Sequence, residues 1–380
     1  MANLWISTIF VIALAPVLLS VVWTRRLARF TLVGYAALTL SGLLLMLARP
    51  AGNEYVASSA SGYAVAVANA VGVLLLSLWA LRHFSVRVTV ILYAFGLLAG
   101  AALTPDAWLA NAWKFGFGIP ITLLTLALLW PAGVALQSAA LAALTVANLA
   151  FDSRSYAGVT LAALTLLLLT RAFSRSGLRG KPSARVIILL MVGALALVAG
   201  QIMIDVVTSG VFGERLAYRT NLQLTSQGGL FLDGRPEFLA TLGLMTVAPL
   251  GYGLGAVPSA ADFNAASQAL STIGIDTRTA RYFQEFTFNG EFRLHSIAGD
   301  FWAQYGWPGL IAAIVLLVYL AMNAYSSLAQ DASGLLLYAS LMSGWFILFG
   351  TTYSNLALVL FSASLASQVR LHTAGSVQRG

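Results

Sequence analysis

Long apolar runs separated by short polar connections form the main pattern of hydrophobic and polar positions along the chain. A helix that crosses a bilayer needs about 20 predominantly apolar residues, and fewer where basic or aromatic residues anchor its ends. The stretches that meet this requirement number eleven, at residues 4–24, 30–48, 63–81, 88–104, 115–130, 132–151, 155–170, 186–206, 301–323, 334–350 and 354–369. The pattern therefore predicts an all-α polytopic membrane protein with about 11–12 transmembrane helices.

The segment 207–300 breaks this pattern because it is rich in ionisable side chains. Between Asp205 and Asp300 lie nine of the 13 acidic residues of the chain, together with six arginines. So many charges are costly in hydrocarbon, and we therefore expect a hydrated, helical extramembrane segment that carries the chemistry. The predicted organisation is transmembrane helices one to eight in residues 1–206, a periplasmic catalytic segment in 207–300, and helices nine to eleven with a cytoplasmic tail in 301–380.

One uncharged stretch inside this segment, residues 238–261, has the composition of a further transmembrane span. It contains Pro249 and Pro258 as well as four glycines, and these residue types break helices. We therefore expect a short helix that lies on the outer leaflet or dips into it.

Composition and charge distribution are those of a membrane protein. Hydrophobic residues make up 59% of the chain and charged residues 9%, against about 25% charged in a soluble domain. The net charge of +8 comes from cations that flank apolar runs, after spans one, three, seven and eleven, which argues against nucleic-acid binding. Since positive charge favours the cytoplasmic side, residue 1 and the segment 207–300 are predicted to face the opposite side. No basic residue precedes the first span, so we expect a retained helix and not a cleaved signal.

His295 is the main candidate for acid–base chemistry in a chain that has three histidines and no cysteine. His83 and His372 lie in basic connections, where a solvated boundary residue is the ordinary interpretation. If the stretch after residue 294 is helical, the imidazole shares one face with small residues that let another helix approach. The residues of that face are His295, Gly299, Trp302, Gly306, Gly309 and Ala313. The spacing fits a catalytic base, and it equally fits an interfacial histidine beside an ordinary glycine packing face.

Arginines form the second candidate group. Arg235 follows a glycine ahead of the uncharged stretch, Arg215 and Arg219 are four residues apart, and Arg154 lies at the predicted outer end of span six. A guanidinium group matches phosphate oxygens two at a time, so four outward arginines could hold an anionic lipid headgroup. Pairing of each arginine with neighbouring carboxylates is the alternative.

Tyr252 lies in a glycine-rich run, Gly-Tyr-Gly-Leu-Gly at residues 251–255. A dinucleotide-binding loop requires a strand before such a run and a helix after it, and that context is missing here. The glycines instead predict a turn that brings backbone close to a ligand or a neighbouring helix. Aromatic residues nearby suit either stacking on sugar rings or an interfacial belt, and we expect Tyr252 to bind substrate.

Several of these elements together resemble a known signature. His295 and Ser296 are followed by nine residues and then by Gly306 and Gly309, which resembles the signature of the O-antigen ligase and polysaccharide polymerase superfamily. The Ser153–Arg154 pair, the Gly-Arg element at 234–235 and the turn at 249–255 also resemble the pattern of that superfamily, in the same order. The resemblance covers roughly residues 150–320, and the remainder matches only in its helical character.

The resemblance implies an inner-membrane glycosyltransferase with a GT-C-type fold and an active site that faces the periplasm. Its donor would be a glycan on undecaprenyl diphosphate, and its acceptor a sugar hydroxyl on lipid A core (ligase) or on a lipid-linked repeat (polymerase). By position, Arg235 and His295 match the essential residues of the superfamily, and Arg154 matches its Ser-Arg element. Arg215 and Arg219 are added from their spacing alone. No cofactor is implied, and membrane lipids are the other expected partners.

Ligase and polymerase use the same donor chemistry. The complete His-Ser to Gly-x-x-Gly match favours the ligase slightly, and a polymerase would work with a chain-length co-polymerase. Two features depart from the superfamily: Phe238 is the only aromatic shortly after the Gly-Arg element, and many members have twelve spans.

The donor determines what the site must do. A glycosyl diphosphate has a good leaving group, so arginines would stabilise negative charge while His295 accepts or orients the acceptor proton, with inversion at the anomeric carbon. A metal-assisted variant stays open because Asp233, Glu237 and Asp300 are available. A lipid or solute transporter is the alternative of another class, but no predicted span carries an ionisable residue in its interior. A non-catalytic scaffold protein for glycan assembly is the third possible function.

Overall fold

The computed structural model of the chain describes residues 12–49, 52–105, 109–175, 235–272, 290–327 and 333–377, with isolated positions at 9, 208–210, 214, 274 and 288. These residues are mainly helical, and the β-structure among them is one isolated bridge between Tyr55 and Ala256. Their α-helices, in chain order, are α1 (Ala15–Thr24), α2 (Arg26–Ala48), α3 (Ala57–His83), α4 (Val86–Leu103), α5 (Gly118–Leu128), α6 (Gly133–Ala150), α7 (Arg154–Arg175), α8 (Pro236–Val247), α9 (Ala260–Ser271), α10 (Ile297–Ser327), α11 (Gly334–Phe349) and α12 (Thr352–Val377).

Ten of the eleven predicted apolar spans overlap described helices, namely α1–α7 and α10–α12, and the remaining span, 186–206, lies outside the described residues. Within the part of the chain that the structure covers, six helical segments are long and apolar enough to cross a bilayer. They are Arg26–Ala48, Ala57–His83, Val86–Leu103, Trp130–Ala150, Arg154–Ala172 and Ile297–Ser327. The protein is therefore an all-α polytopic membrane protein, as its apolar pattern predicted.

The uncharged stretch 238–261 forms most of α8, the turn that follows it and the first two residues of α9. Helix α8 begins with Pro236 in its first turn and ends at Val247, and α9 begins at Ala260 after a turn. The two helices pack closely at Gly243: a Cβ on this residue would lie 2.6 Å from the Ala265 carbonyl oxygen. The prediction that this stretch is not one continuous span is confirmed.

The chain divides into two compact units, each assembled from three sequence segments. The first unit comprises Met1–Trp79, Asn221–Tyr319 and Ser343–Ser364, and the second comprises Ala80–Thr220, Leu320–Met342 and Leu365–Gly380. Each unit is discontinuous because helix packing brings together segments that are far apart in sequence. The sequence-based divisions at residues 206 and 300 concern membrane location, and they stay predictions.

In the second unit, buried polar side chains link neighbouring helices. The Gln137 side chain of α6 is buried and accepts a hydrogen bond of 2.8 Å from the backbone N–H of Gly334, where α11 begins. The Trp113 indole donates a bond of 2.7 Å to the Asn148 side chain. Such bonds satisfy polar groups that would be costly to leave unpaired in an apolar interior.

In the first unit, a buried carboxylate fixes the start of α9. Asp262 is 1% exposed and accepts hydrogen bonds from the Ser259 backbone and hydroxyl, the Asn53 amide and the Tyr252 hydroxyl, at 2.6–2.8 Å. The Ser259 hydroxyl in turn accepts from the Asp262 backbone, which completes a capping box. The loop before α3 is thereby attached to the turn between α8 and α9.

Candidate functional site

The start of α10 places His295 outside the helix. Ser296 caps α10 by accepting a hydrogen bond of 3.1 Å from the backbone N–H of Gly299, and His295 before it has a φ of +48°. The helix is also interrupted at Gly306, with φ 66° and ψ −152°. The prediction of one continuous helical face from His295 to Ala313 is therefore wrong. The helix begins only after Ser296, so His295 lies outside it, and Gly306 does not have helical backbone angles.

The irregular geometry at Gly306 serves a close backbone contact with the glycine-rich turn at 249–255. A Cβ on Gly306 would lie 2.5 Å from the Leu250 carbonyl oxygen, and one on Gly251 would lie 2.9 Å from the Cα of Gly306. The backbone N–H groups of Tyr252 and Gly253 both donate to the Ala303 carbonyl of α10, at 2.9 and 3.0 Å. The prediction that these glycines let a neighbouring helix approach is confirmed.

Tyr252, which we expected to bind substrate, belongs to the packed core. Its side chain is 0% exposed, its ring stacks on Phe292 with centroids 4.2 Å apart, and its hydroxyl donates to Asp262. Burial, together with the hydrogen bond to that carboxylate, raises the pKa of Tyr252 well above its ordinary value. The prediction is corrected because no surface of this residue is left for a substrate to contact.

Asp300 fixes the backbone on both sides of the site. Its Oδ1 accepts a hydrogen bond of 2.8 Å from the backbone N–H of Leu294, and its Oδ2 accepts from the N–H and hydroxyl of Thr352, at 3.1 and 2.9 Å. The carboxylate is 1% exposed. It therefore connects the residue before His295 to the first residue of α12. Both oxygens of Asp300 thus already accept bonds from the protein, which disfavours it as a ligand in the metal-assisted alternative.

Ser296 of the His-Ser element and Arg235 of the Gly-Arg element both bond to the C-terminal end of α11. The Ser296 hydroxyl donates to the Ile347 carbonyl at 3.2 Å, and Arg235 Nη1 donates to the Phe349 carbonyl at 3.4 Å. The last carbonyls of a helix lack partners within the helix and carry partial negative charge. One helix end therefore brings together two elements that are far apart in sequence.

Aromatic rings fix the Arg235 guanidinium. Arg235 directly precedes α8, and its guanidinium carbon lies 5.0 Å from the Trp345 ring centroid and 5.4 Å from that of Phe349. Cations attract the negative faces of such rings, and the planar guanidinium also stacks on them. The residue is partly buried, so its charge is only partly solvated at the helix end.

The other predicted arginines are distributed differently. Arg154 belongs to the second unit, where it begins α7 and lies 4.0 Å from the Asp152 carboxylate, with both side chains partly exposed. Such an exposed ion pair contributes little to stability. Arg215 and Arg219 lie outside the described residues. Among the arginines that we predicted, the structure thus places Arg235 at the His-Ser element, whereas the roles of Arg154, Arg215 and Arg219 stay predictions.

Three functional candidates that we did not predict contact one another, and two of them shortly precede His295 in the chain. Arg293 forms an ion pair with Glu291, and the Tyr353 hydroxyl donates to the same carboxylate at 3.2 Å. The Arg293 guanidinium carbon lies 5.8 Å from the Tyr353 ring centroid. The signal for the first two was the alternation in Glu-Phe-Arg-Leu-His at 291–295, in which the two apolar residues are 0% exposed.

These candidates line an open cavity of about 500 Å³. The lining residues are Val56, Ser58, Ser59, Gly290, Glu291, Arg293 and Tyr353, all of the first unit. Tyr63 of α3 supports the wall of this cavity, since its hydroxyl donates to the Phe292 carbonyl at 2.6 Å and its ring lies 4.7 Å from that of Tyr353. The cavity thus adjoins the backbone segment that leads to His295.

Comparison with models of protein families, with curated proteins and with solved structures finds no match to this chain. The fold defines a multi-pass all-α membrane protein, and the site defines an arginine and a histidine element joined at one helix end. The resemblance of the sequence motifs to the ligase and polymerase superfamily stays a prediction.

Proposed function

We propose that the protein is an inner-membrane glycosyltransferase of the O-antigen ligase and polymerase type, with a GT-C-type fold. It transfers a glycan from undecaprenyl diphosphate to an acceptor sugar hydroxyl at the periplasmic face. The observation that carries the proposal is the convergence of Arg235 and the His295–Ser296 element on the last carbonyls of α11. These two elements are also the ones that match the signature of the superfamily.

Arg235 stabilises the leaving diphosphate in this mechanism. Departure of the donor diphosphate concentrates negative charge, and a preorganised guanidinium stabilises that charge without having to reorient. The rings of Trp345 and Phe349 lie close to the Arg235 guanidinium and restrict its movement. Its bond to the Phe349 carbonyl is long, at 3.4 Å, so a charged phosphate oxygen would form the stronger bond in its place.

His295 accepts the proton of the acceptor hydroxyl in the same mechanism. Its left-handed backbone conformation is unusual for a residue other than glycine, and such conformations persist where surrounding contacts determine them. Here the residues on both sides of His295 are held: the Leu294 backbone N–H donates to the Asp300 carboxylate, and the Ser296 hydroxyl donates to the Ile347 carbonyl. A base held from both sides favours direct displacement of the diphosphate, which inverts the anomeric carbon.

Lipid A core is the acceptor that we favour, because the His-Ser to Gly-x-x-Gly match is complete. The alternative acceptor is another lipid-linked repeat, in which case the protein is a polysaccharide polymerase that works with a chain-length co-polymerase. Product analysis separates the two, since a ligase puts glycan on the core and a polymerase lengthens the lipid-linked chain.

Reconstitution of the full-length chain in proteoliposomes tests the proposal. We expect labelled glycan to move from undecaprenyl diphosphate to lipid A core, and transfer to fall to background in His295→Ala and Arg235→Ala. A parallel reaction with chelator tests whether the mechanism needs a metal ion. Absence of transfer to either acceptor, or full activity in both variants, would discard the proposal. Movement of the lipid-linked glycan across the bilayer with no acceptor present would support a flippase instead.

A further inference from the structure

The cavity lined by Glu291, Arg293 and Tyr353 has the size of a small-ligand site, and Arg235 and His295 are not among its lining residues. Its volume of about 500 Å³ lies within the range of about 300–1,000 Å³ typical of such sites. Its wall is formed by the start of α3, the segment around residues 290–293, and the start of α12. Three segments that are far apart in sequence thus converge on one polar space.

The charged groups of the cavity form a pair with no net charge. The Arg293 side chain is 54% exposed, and the Glu291 side chain with which it pairs is 10% exposed. A guanidinium group has five N–H donors in fixed directions, and a carboxylate accepts at several positions. The pair therefore offers donors and acceptors side by side, which matches adjacent hydroxyls of a sugar ring better than an anion.

Asp300 couples this cavity to the catalytic histidine of the proposed mechanism. One oxygen of Asp300 holds Leu294, which stands between Arg293 and His295, and the other holds Thr352, which precedes Tyr353. The cavity residues Arg293 and Tyr353 are thus each next in sequence to a residue whose backbone N–H donates to Asp300. A ligand in the cavity would lie next to the chain segment that carries the imidazole.

We infer that this cavity is the subsite for the acceptor sugar, in which Glu291 and Arg293 bind uncharged ring hydroxyls and so present a neighbouring hydroxyl to His295. The inference rests on the proposed function and adds the position and chemical class of the acceptor. Glu291 and Arg293 are binding residues in this scheme, and no proton or bond changes hands at either.

Filling the cavity without touching its charged pair gives the sharpest test. Ser59→Trp places an indole among the lining residues, whereas Ser61→Trp on the same helix is the matched control, because Ser61 is exposed and does not line the cavity. We expect Ser59→Trp to raise the KM for lipid A core by about tenfold or more, with the donor KM changed by less than about twofold. Ser61→Trp should keep both values at those of the unmodified protein.

Arg293 variants test the chemistry of the subsite. Arg293→Gln should raise the acceptor KM by about tenfold, since charge-assisted hydrogen bonds are lost, and Arg293→Lys should recover only part of that loss. Millimolar inorganic phosphate should not compete with the acceptor. Competition by phosphate would overturn the assignment to uncharged sugar hydroxyls, because it would show an anion site.

Binding of delipidated core oligosaccharide, measured by ligand-observed NMR without donor, separates the two proposals. Binding that Ser59→Trp abolishes supports the subsite even if no glycan transfer is found, in which case only the proposed function fails. Transfer with an acceptor KM that neither Ser59→Trp nor Arg293→Gln alters overturns the subsite and leaves the proposed function intact. Unaltered oligosaccharide binding in both variants also overturns the subsite.

Discussion

Asp300 accepts hydrogen bonds from both the backbone N–H and the hydroxyl of Thr352, which joins the start of α10 to the start of α12. The same carboxylate also accepts from the Leu294 backbone, one residue before His295. A single buried acid thus determines where three parts of the site lie relative to one another.

Replacement of Asp300 by asparagine should destabilise the protein. The asparagine amide turns one acceptor into a donor that faces the N–H groups of Leu294 or Thr352, so we expect a loss of about 2–3 kcal/mol in the free energy of unfolding. Thr352→Ser is the control, because it keeps the hydroxyl and should lose less than about 1 kcal/mol. Thermal unfolding in detergent measures both. Equal stability of Asp300→Asn and the unmodified protein would contradict this role.

Gly306 should not tolerate a side chain. In Gly306→Ala the new Cβ meets the Leu250 carbonyl, and the backbone conformation at φ 66° and ψ −152° is essentially restricted to glycine. We expect a loss of at least about 2 kcal/mol. Gly96→Ala on α4 is the matched control, since nothing lies within 4 Å of its Cβ position, and it should be neutral or stabilising. Unfolding temperatures of the two variants that agree would disprove the close contact.

Arg235 should not be replaceable by lysine. Lysine keeps the charge but lacks the planar fork that stacks on Trp345 and binds two phosphate oxygens. We expect Arg235→Lys to lower kcat for glycan transfer by about 10²-fold, near the effect of alanine. Arg49→Lys is the control, because the Arg49 guanidinium also lies over an aromatic ring, 5.5 Å from the Tyr55 ring centroid, and Arg49 is not part of the proposed mechanism. A kcat for Arg235→Lys within about threefold of the unmodified protein would show that charge alone suffices.

Tyr252→Phe should affect stability and leave acceptor binding unchanged. The substitution removes the hydroxyl that donates to Asp262 and retains the ring that stacks on Phe292. We expect a loss of about 1–1.5 kcal/mol and an unchanged acceptor KM, measured by thermal unfolding and by transfer kinetics. A raised acceptor KM without loss of stability would return Tyr252 to the substrate site.

Local sequence was sufficient to predict the helices. Apolar runs of membrane-spanning length coincide with the described helices, because a backbone in hydrocarbon must satisfy its own hydrogen bonds and helices do so within one segment. The break in the stretch 238–261 was also local, since proline and glycine interrupt helices wherever they occur. The glycines at 251 and 306 indicated a close approach, but not which backbone would come near.

Tertiary contacts decided the candidate site. The Ser296 hydroxyl donates to the Ile347 carbonyl of α11, which is a tertiary contact. Its cap on α10, which leaves His295 outside the helix, is by contrast a local contact that the spacing of small residues did not indicate. Packing on Phe292 and the bond to Asp262 buried Tyr252, which composition alone could not distinguish from an interfacial aromatic. The pairing of Arg293 with Glu291 beside Tyr353 depends on α12 as well.

The amino-acid sequence by itself therefore determined that this is an all-α membrane protein and where its helices lie, since those properties depend on the burial preference of each segment. Only the tertiary structure decided that Arg235, Ser296 and Asp300 meet around the α11–α12 connection. The physical reason is that their partners are backbone groups of Ile347, Phe349 and Thr352. Nearly every residue has the same backbone groups, so the sequence does not indicate which of them will be the partner.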